Sequence, residues 1–238
     1  MFPIKDTVPR RTFPLATLLI IVANGIVFFF ELSMSERYQN AFIELFGLVP
    51  ARYTHPLWAT VMGFPLDSYW PFLTNMFIHG GWLHFIANMW TLFLFGDNVE
   101  DRLGRLRFLL FYLAAGIAAN LIHFFVFHDS TMPVIGASGA IAGVMAAYLR
   151  LFPRARIITL IPVLFFPFFF DVPAVLFMAI WFFTQLLSGA ASLAITESAG
   201  GIAWWAHIGG FALGFLFIKP LCKSRSDACN PGEDFRSV

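Results

Sequence analysis

VIGASGAIAGVMAAYLRL, residues 134–151, is the stretch on which the fold turns. Apart from Ser138, Tyr148 and Arg150 it contains only apolar or small residues. A run of this kind is a candidate membrane-spanning helix, for which about 20 predominantly apolar residues are needed. Gly139 and Gly143, four residues apart, give it a small face that a neighbouring backbone could approach closely. A hydroxyl in such a run is costly in hydrocarbon, so Ser138 marks a place where function is expected. A second run has the same character. AHIGGFALGFLF, residues 206–217, carries His207 near its start and the pair Gly210 and Gly214. Two helices with matching small faces, one bearing a serine and the other a histidine, could bring a nucleophile and a base together.

The rest of the chain supports a membrane setting. Of 238 residues 59% are hydrophobic and only 12% charged, and there are 31 Phe. That composition excludes an ordinary soluble domain. A net charge of +1 gives no general attraction for nucleic acid, and none is expected as a partner. Six apolar runs qualify as spans, at about 14–32, 77–95, 106–127, 134–151, 172–192 and 201–218. The fold class expected is therefore all-α, a polytopic membrane protein with six transmembrane helices. Residues 157–171 are apolar too, but Pro162 and Pro167 interrupt them, and we read them as an interfacial segment leading into the fifth span. The first run is too long for a signal peptide and has no clear cleavage site, so it reads as a span that stays in place.

Charge placement tests this count. With the N-terminus inside, all of the 15 basic residues except Arg37 and Arg52 fall in cytoplasmic segments, as the positive-inside rule requires. The expected organisation is a cytoplasmic segment 1–13, a membrane unit 14–218 that includes an outer loop 33–76, and a cytoplasmic tail 219–238. Pro50, Pro56, Pro65 and Pro71 argue against one long helix in that loop. The second, fourth and sixth runs all enter from outside, which places His84, Ser138 and His207 at a similar depth in the outer half of the bilayer. His79 is expected at the interface, His55 and His128 in outer loops, and His123 near the outer end of the third run. Cys222 and Cys229 lack metal-ligand spacing and are expected to be free thiols. No metal or cofactor is expected.

The chemistry available is limited and specific. A serine hydroxyl becomes a useful nucleophile when a base takes its proton, and histidine is the usual base near neutral pH. Ser138 follows Pro133 and Gly136 at the start of its run, where unpaired backbone N–H groups and the positive end of the helix dipole suit a developing oxyanion. His84 and Asn88, at i and i+4, share a helix face and can both donate hydrogen bonds. Apart from Glu31 at one end, the six spans contain no acidic residue, so the constellation is a dyad rather than a triad. Each element also has a plainer reading: Ser138 as a packing residue, His207 as an interhelical hydrogen-bond donor, and His84 with Asn88 as a structural polar pair.

Taken together, the motifs resemble the rhomboid family of intramembrane serine proteases. The matching pieces are His79-Gly80-Gly81-Trp82-Leu83-His84-Phe85-Ile86-Ala87-Asn88, Gly136-Ala137-Ser138-Gly139, Ala206-His207-Ile208-Gly209-Gly210 with Gly214, and Glu100-Asp101-Arg102. They occur in the family's order between about 70 and 218. The resemblance implies a rhomboid-like bundle in which Ser138 is the nucleophile and His207 the general base. His84 and Asn88, with the Ser138 backbone N–H, would hold the oxyanion. Glu100 and Arg102 would be structural, on the cytoplasmic side. Substrates would be single-span transmembrane proteins, cut near the outer membrane face in helices that unwind readily. The simplest location is a prokaryotic plasma membrane with both termini cytoplasmic.

Two positions depart from the family pattern. Trp70 is followed by Pro71 instead of the arginine found in some members. Ala142 stands where some members place a tyrosine that packs on the catalytic histidine, so Trp204 or Trp205 is the candidate to orient His207. The Phe-rich fifth run, with Ala190, Ala191, Gly200 and Gly201 around the following loop 193–200, is the candidate lateral gate. A rhomboid-like protein without protease activity and a small transporter are the competing readings. The second is disfavoured by the lack of acidic groups within the spans.

Overall fold

The computed structural model describes residues 2–163, 166–193 and 203–222. In chain order the elements are β1 (Phe2–Asp6), α1 (Leu15–Leu32), α2 (Glu36–Phe46), α3 (Ala51–Thr54), α4 (Pro56–Val61) and α5 (Pro71–Thr74). A 3-10 turn (Asn75–Phe77) leads to α6 (Trp82–Leu103), α7 (Arg105–Val126), α8 (Ser138–Leu151), β2 (Arg156–Val163), β3 (Phe166–Pro173), α9 (Ala174–Ser192) and α10 (Trp204–Leu221).

The small residues of α8 decide its place. Gly139 through Tyr148 are all buried, and α6, α7 and α10 pack around them. The approach of α10 depends on glycine. A Cβ at Gly210 would overlap the carbonyl oxygen of Gly139, and one at Gly214 would overlap that of Gly143. The same glycines of α8 also admit α7: a Cβ at Gly139 or Gly143 would stand 2.7 Å from the Cβ of Ala119 or Ala115. The outer helices instead expose apolar side chains, including Leu19, Ile26 and Phe29 on α1 and Leu110 and Phe125 on α7. That inversion of the soluble pattern is what a lipid solvent favours. Among the described residues, three helices, Leu15–Leu32, Arg105–Val126 and Ala174–Ser192, are long and apolar enough to cross a membrane by length and composition.

Residues 157–163 and 166–171, read from the sequence as an interfacial segment, lie in two antiparallel strands, which corrects the fold class: the described fold is mostly helical rather than all-α. β2 pairs antiparallel with β3 from Arg156↔Pro173 to Val163↔Phe166, and β1 adds to β2 from Phe2↔Leu160 to Asp6↔Ile157. Ile157, Ile158, Thr159 and the Phe-rich return strand are strand formers. The prolines that disfavour a helix are tolerated because Pro162 and Pro167 pair with each other beyond the last β1 partner, where β2 pairs on one side alone among the described residues. Asp6 fixes the sheet to the bundle: its carboxylate accepts from Asn98 Nδ2 (2.9 Å) and from the Tyr148 hydroxyl (2.5 Å). Burial pushes the Asp6 carboxyl up to about 6.

The second apolar run is also shifted. The helix begins at Trp82, after Gly81 at φ 144°, and continues to Leu103. Its far end caps α1, whose preceding Pro14 has no side-chain acceptor. Buried Glu100 accepts from the backbone N–H groups of Ala16 (3.0 Å) and Thr17 (2.8 Å) and from the Thr17 hydroxyl (2.8 Å). Asp101 accepts from the N–H groups of Arg11 (2.7 Å) and Thr12 (2.9 Å), and the Arg102 guanidinium lies 4.8 Å from the centre of the Phe152 ring. Replacing Glu100 by Ala strips these donors of their acceptor and should lower stability by about 2–4 kcal/mol. A drop of several degrees in the detergent melting temperature is the expected result, and an unchanged melting temperature contradicts it.

Cys222 is disulfide-bonded, which corrects the expectation of a free thiol there; Cys229 and the tail from residue 223 lie outside the described residues, as do residues 194–202, which include all but the first residue of the candidate gate loop 193–200.

Candidate active site

Ser138 is the first residue of α8, so its N–H belongs to the first-turn amides that lack an intrahelical acceptor. The chain reaches this point through a fixed loop. Leu48 and Val134 exchange backbone hydrogen bonds of 3.0 and 2.8 Å. Gly136 then turns with φ 118° and donates its N–H to the Asn75 carbonyl at 2.8 Å. Asn75 is held by Asn120 of α7 through paired amide bonds of 3.0 and 2.8 Å. Positive φ is one reason for glycine at 136. Crowding is another, since a Cβ there would stand 2.6 Å from His84 Nε2.

The close packing of α8 and α10 brings His207 to this loop. Its Nε2 lies 2.7 Å from Ser138 Oγ, and its Nδ1 lies 2.8 Å from Gln185 Oε1 on α9. The imidazole is 8% exposed. Aromatic rings confine it: Trp204 meets it edge-on (centroids 6.1 Å apart, 87°), and Trp181 lies across it at 5.9 Å and 32°. Of the two tryptophans named from the sequence, Trp204 is beside His207, whereas Trp205 donates its Nε1–H to the Gly189 carbonyl at 3.1 Å. Gln185 and Trp181 were missed. The signal for Gln185 was present, because a polar amide in the apolar run 172–192 invites the question asked of Ser138.

His84 stands in the first turn of α6. Its Nδ1 accepts the Gly80 N–H at 3.4 Å, which leaves Nε2 to carry the proton on the side facing Gly136. Asn88 follows one turn along and donates Nδ2–H to the His84 carbonyl at 2.9 Å. The described contacts thus bring His84 against the Ser138 loop and tie Asn88 to its own helix. His79, expected to face the interface, does not point outward. It is fully buried among Phe28, Phe85 and His84, because the chain before α6 turns it inward, and its N–H donates to Glu31 at 3.3 Å. His55 and His128 are exposed beside Asp129, at 2.9 and 3.1 Å, and His123 is buried near the end of α7. Among the described residues no group of His, Cys, Asp or Glu is arranged to hold a metal ion. A surface cleft lined by Thr54, His55, Trp58 and Asp129 shares no residue with the Ser138–His207 pair.

Such an arrangement can activate a hydroxyl. Nε2 can take the Ser138 proton while donors at the start of α8 and on His84 lie nearby for a developing oxyanion.

Comparison with known proteins agrees in position. The family model described as the Rhomboid domain matches residues 66–224. Over 156 residues, 62% of this chain, the sequence is 30% identical to the mitochondrial presenilin-associated rhomboid-like protein of Mus musculus, of which it covers 37%. It is 37% identical over 115 residues to YdcA of Bacillus subtilis, covering 46% of this chain and 57% of that one. Chloroplastic rhomboid-like protein 11 of Arabidopsis thaliana is 31% identical over 124 residues, 52% of this chain and 41% of the relative. The chain therefore spans about a third to somewhat over half the length of these relatives.

Proposed function

The chain belongs to the rhomboid family, an integral membrane protein, and from that membership we propose that it is an intramembrane serine endopeptidase. It hydrolyses peptide bonds in or beside the transmembrane segments of single-span proteins. One observation carries this reading: the 2.7 Å contact between Ser138 Oγ and His207 Nε2, in a bundle whose outer surface is apolar. YdcA, named as a candidate rhomboid protease, supports it by similarity.

In this mechanism His207 Nε2 takes the Ser138 proton as Oγ attacks the scissile carbonyl. The oxyanion is held by the Ser138 N–H, by His84 Nε2–H and by Asn88. His207 then gives its proton to the leaving amine, and water activated by the same imidazole cleaves the acyl-enzyme ester. No acidic residue is assigned to the dyad. Six helices, α1 and α6 to α10, span the bilayer, with both termini on the side rich in basic residues and Ser138 toward the other. The bilayer is the one solvent partner required; nucleic acid is not a partner. A prokaryotic plasma membrane fits the similarity to YdcA best. The apolar helix α9 acts as the lateral gate.

A substrate helix must unwind before its carbonyl can reach Ser138. Two adjacent glycines placed near the outer end of a substrate span each weaken the helix by about 1 kcal/mol, so they should raise kcat/KM by up to roughly 30-fold. The check is cleavage of paired substrates in reconstituted vesicles, with the cut mapped by mass spectrometry. Equal rates for both, or a cut far from the span, would count against the proposal.

A further inference from the structure

We propose that Gln185 on α9 is the positioning residue that sets the tautomer of His207, in the place an acidic residue would occupy in a triad. The inference rests on the dyad reading above and extends it to a third helix.

The amide of Gln185 has little freedom in how it points. Its Nε2 donates to the Trp181 carbonyl at 3.1 Å and to Thr184 Oγ1 at 3.0 Å. The Trp181 carbonyl can only accept, and the Thr184 hydroxyl spends its own proton on that same carbonyl at 2.6 Å. The amide nitrogen is therefore committed to α9, and Oε1 is the end that faces the imidazole, 2.8 Å from Nδ1. An amide oxygen has no proton to give, so Nδ1 must carry one. A neutral imidazole with its proton on Nδ1 presents a lone pair at Nε2, 2.7 Å from Ser138 Oγ. That is the tautomer a general base needs.

Burial gives this bond its weight. Gln185 is 5% exposed and His207 8%, so water offers little substitute acceptor at Nδ1, and the other tautomer would turn an N–H toward the serine. Trp181, one turn before Gln185 on α9, also lies across the imidazole. Two contacts that orient the base thus come from α9, while the nucleophile comes from α8. An amide gives orientation without a fixed charge, which suits an imidazole in an apolar bundle better than a carboxylate that must be desolvated.

The test uses the full-length protein in vesicles, a single-span substrate, and the variants Gln185→Leu and Gln185→Glu beside Ser138→Ala. Removing the acceptor should lower kcat by about 10- to 100-fold with KM within about twofold. The acidic limb of the pH–rate profile should move to lower pH in Gln185→Leu, because the imidazolium loses its acceptor. Gln185→Glu keeps an oxygen at Nδ1, so it should restore at least a tenth of wild-type kcat and move that limb to higher pH. A purely structural role for Gln185 would change the melting temperature and leave the limb where it is. Wild-type kcat and an unmoved limb in Gln185→Leu overturn the proposal, as does a limb moving the same way in both variants. If Ser138→Ala retains activity, the dyad reading itself fails, which is a separate outcome.

Discussion

Ser138→Ala and His207→Ala should each lower the rate of cleavage of a single-span substrate by about 10³- to 10⁶-fold, and the double variant should fall little further. The reason is geometric. A hydroxyl loses its reactivity without a base, a base has no role without the hydroxyl, and the two are joined by one 2.7 Å contact. The losses should therefore not add, as expected for groups that act as a unit. Both variants shorten a side chain and leave the glycine contacts between α8 and α10 intact. Their melting temperatures should stay within a few degrees of wild type, which separates lost chemistry from lost fold. Additive losses, or either single variant with more than about a tenth of wild-type activity, would contradict a shared role.

Gly210→Ala is expected to have a large effect by a different route. The added Cβ would overlap the Gly139 carbonyl oxygen, a backbone atom at the residue after Ser138 that cannot rotate away as a side chain can. The helices must separate, and overpacking of this kind costs about 1–3 kcal/mol. A displacement near 1 Å between nucleophile and base costs about 10²-fold in rate. We expect at least that loss, with a lower melting temperature. Gly214→Ala meets the Gly143 carbonyl in the same way, one turn farther from Ser138, so its stability loss should match while its activity loss is smaller. Wild-type activity and stability in Gly210→Ala would mean that the close approach of α8 and α10 does not set the site.

The parts of the molecule that could be read from the sequence are those governed by one local rule. Ser138 and His207 stood out because polar groups in apolar runs are expensive, and the glycine pairs on the same runs indicated which helices could meet. The glycines proved to be where α8 and α10 touch backbone to backbone. Where two rules competed, the sequence was less informative. Residues 157–171 are apolar enough for a membrane segment and rich enough in Ile and Phe for strands; pairing with β1, more than 150 residues earlier in the chain, settled the matter, and such a partner leaves no local mark. His79 was expected to face an interface, yet its ring is buried among Phe28, Phe85 and His84, contacts that depend on how α1 and α6 pack. Gln185 escaped notice because its meaning depends on where α9 packs, although its cost in an apolar run was as legible as that of Ser138. Ala142 was seen as a gap beneath His207, and Trp181 and Gln185, both from α9, flank the imidazole instead.

The central claim, that Ser138 is a nucleophile activated by His207, is tested most directly by a serine-reactive fluorophosphonate probe on the detergent-solubilised protein, with the labelled peptide identified by mass spectrometry. Wild type should be labelled on the peptide containing Ser138, with no label in Ser138→Ala or His207→Ala. Equal labelling of all three proteins, or label on a different serine, would contradict it.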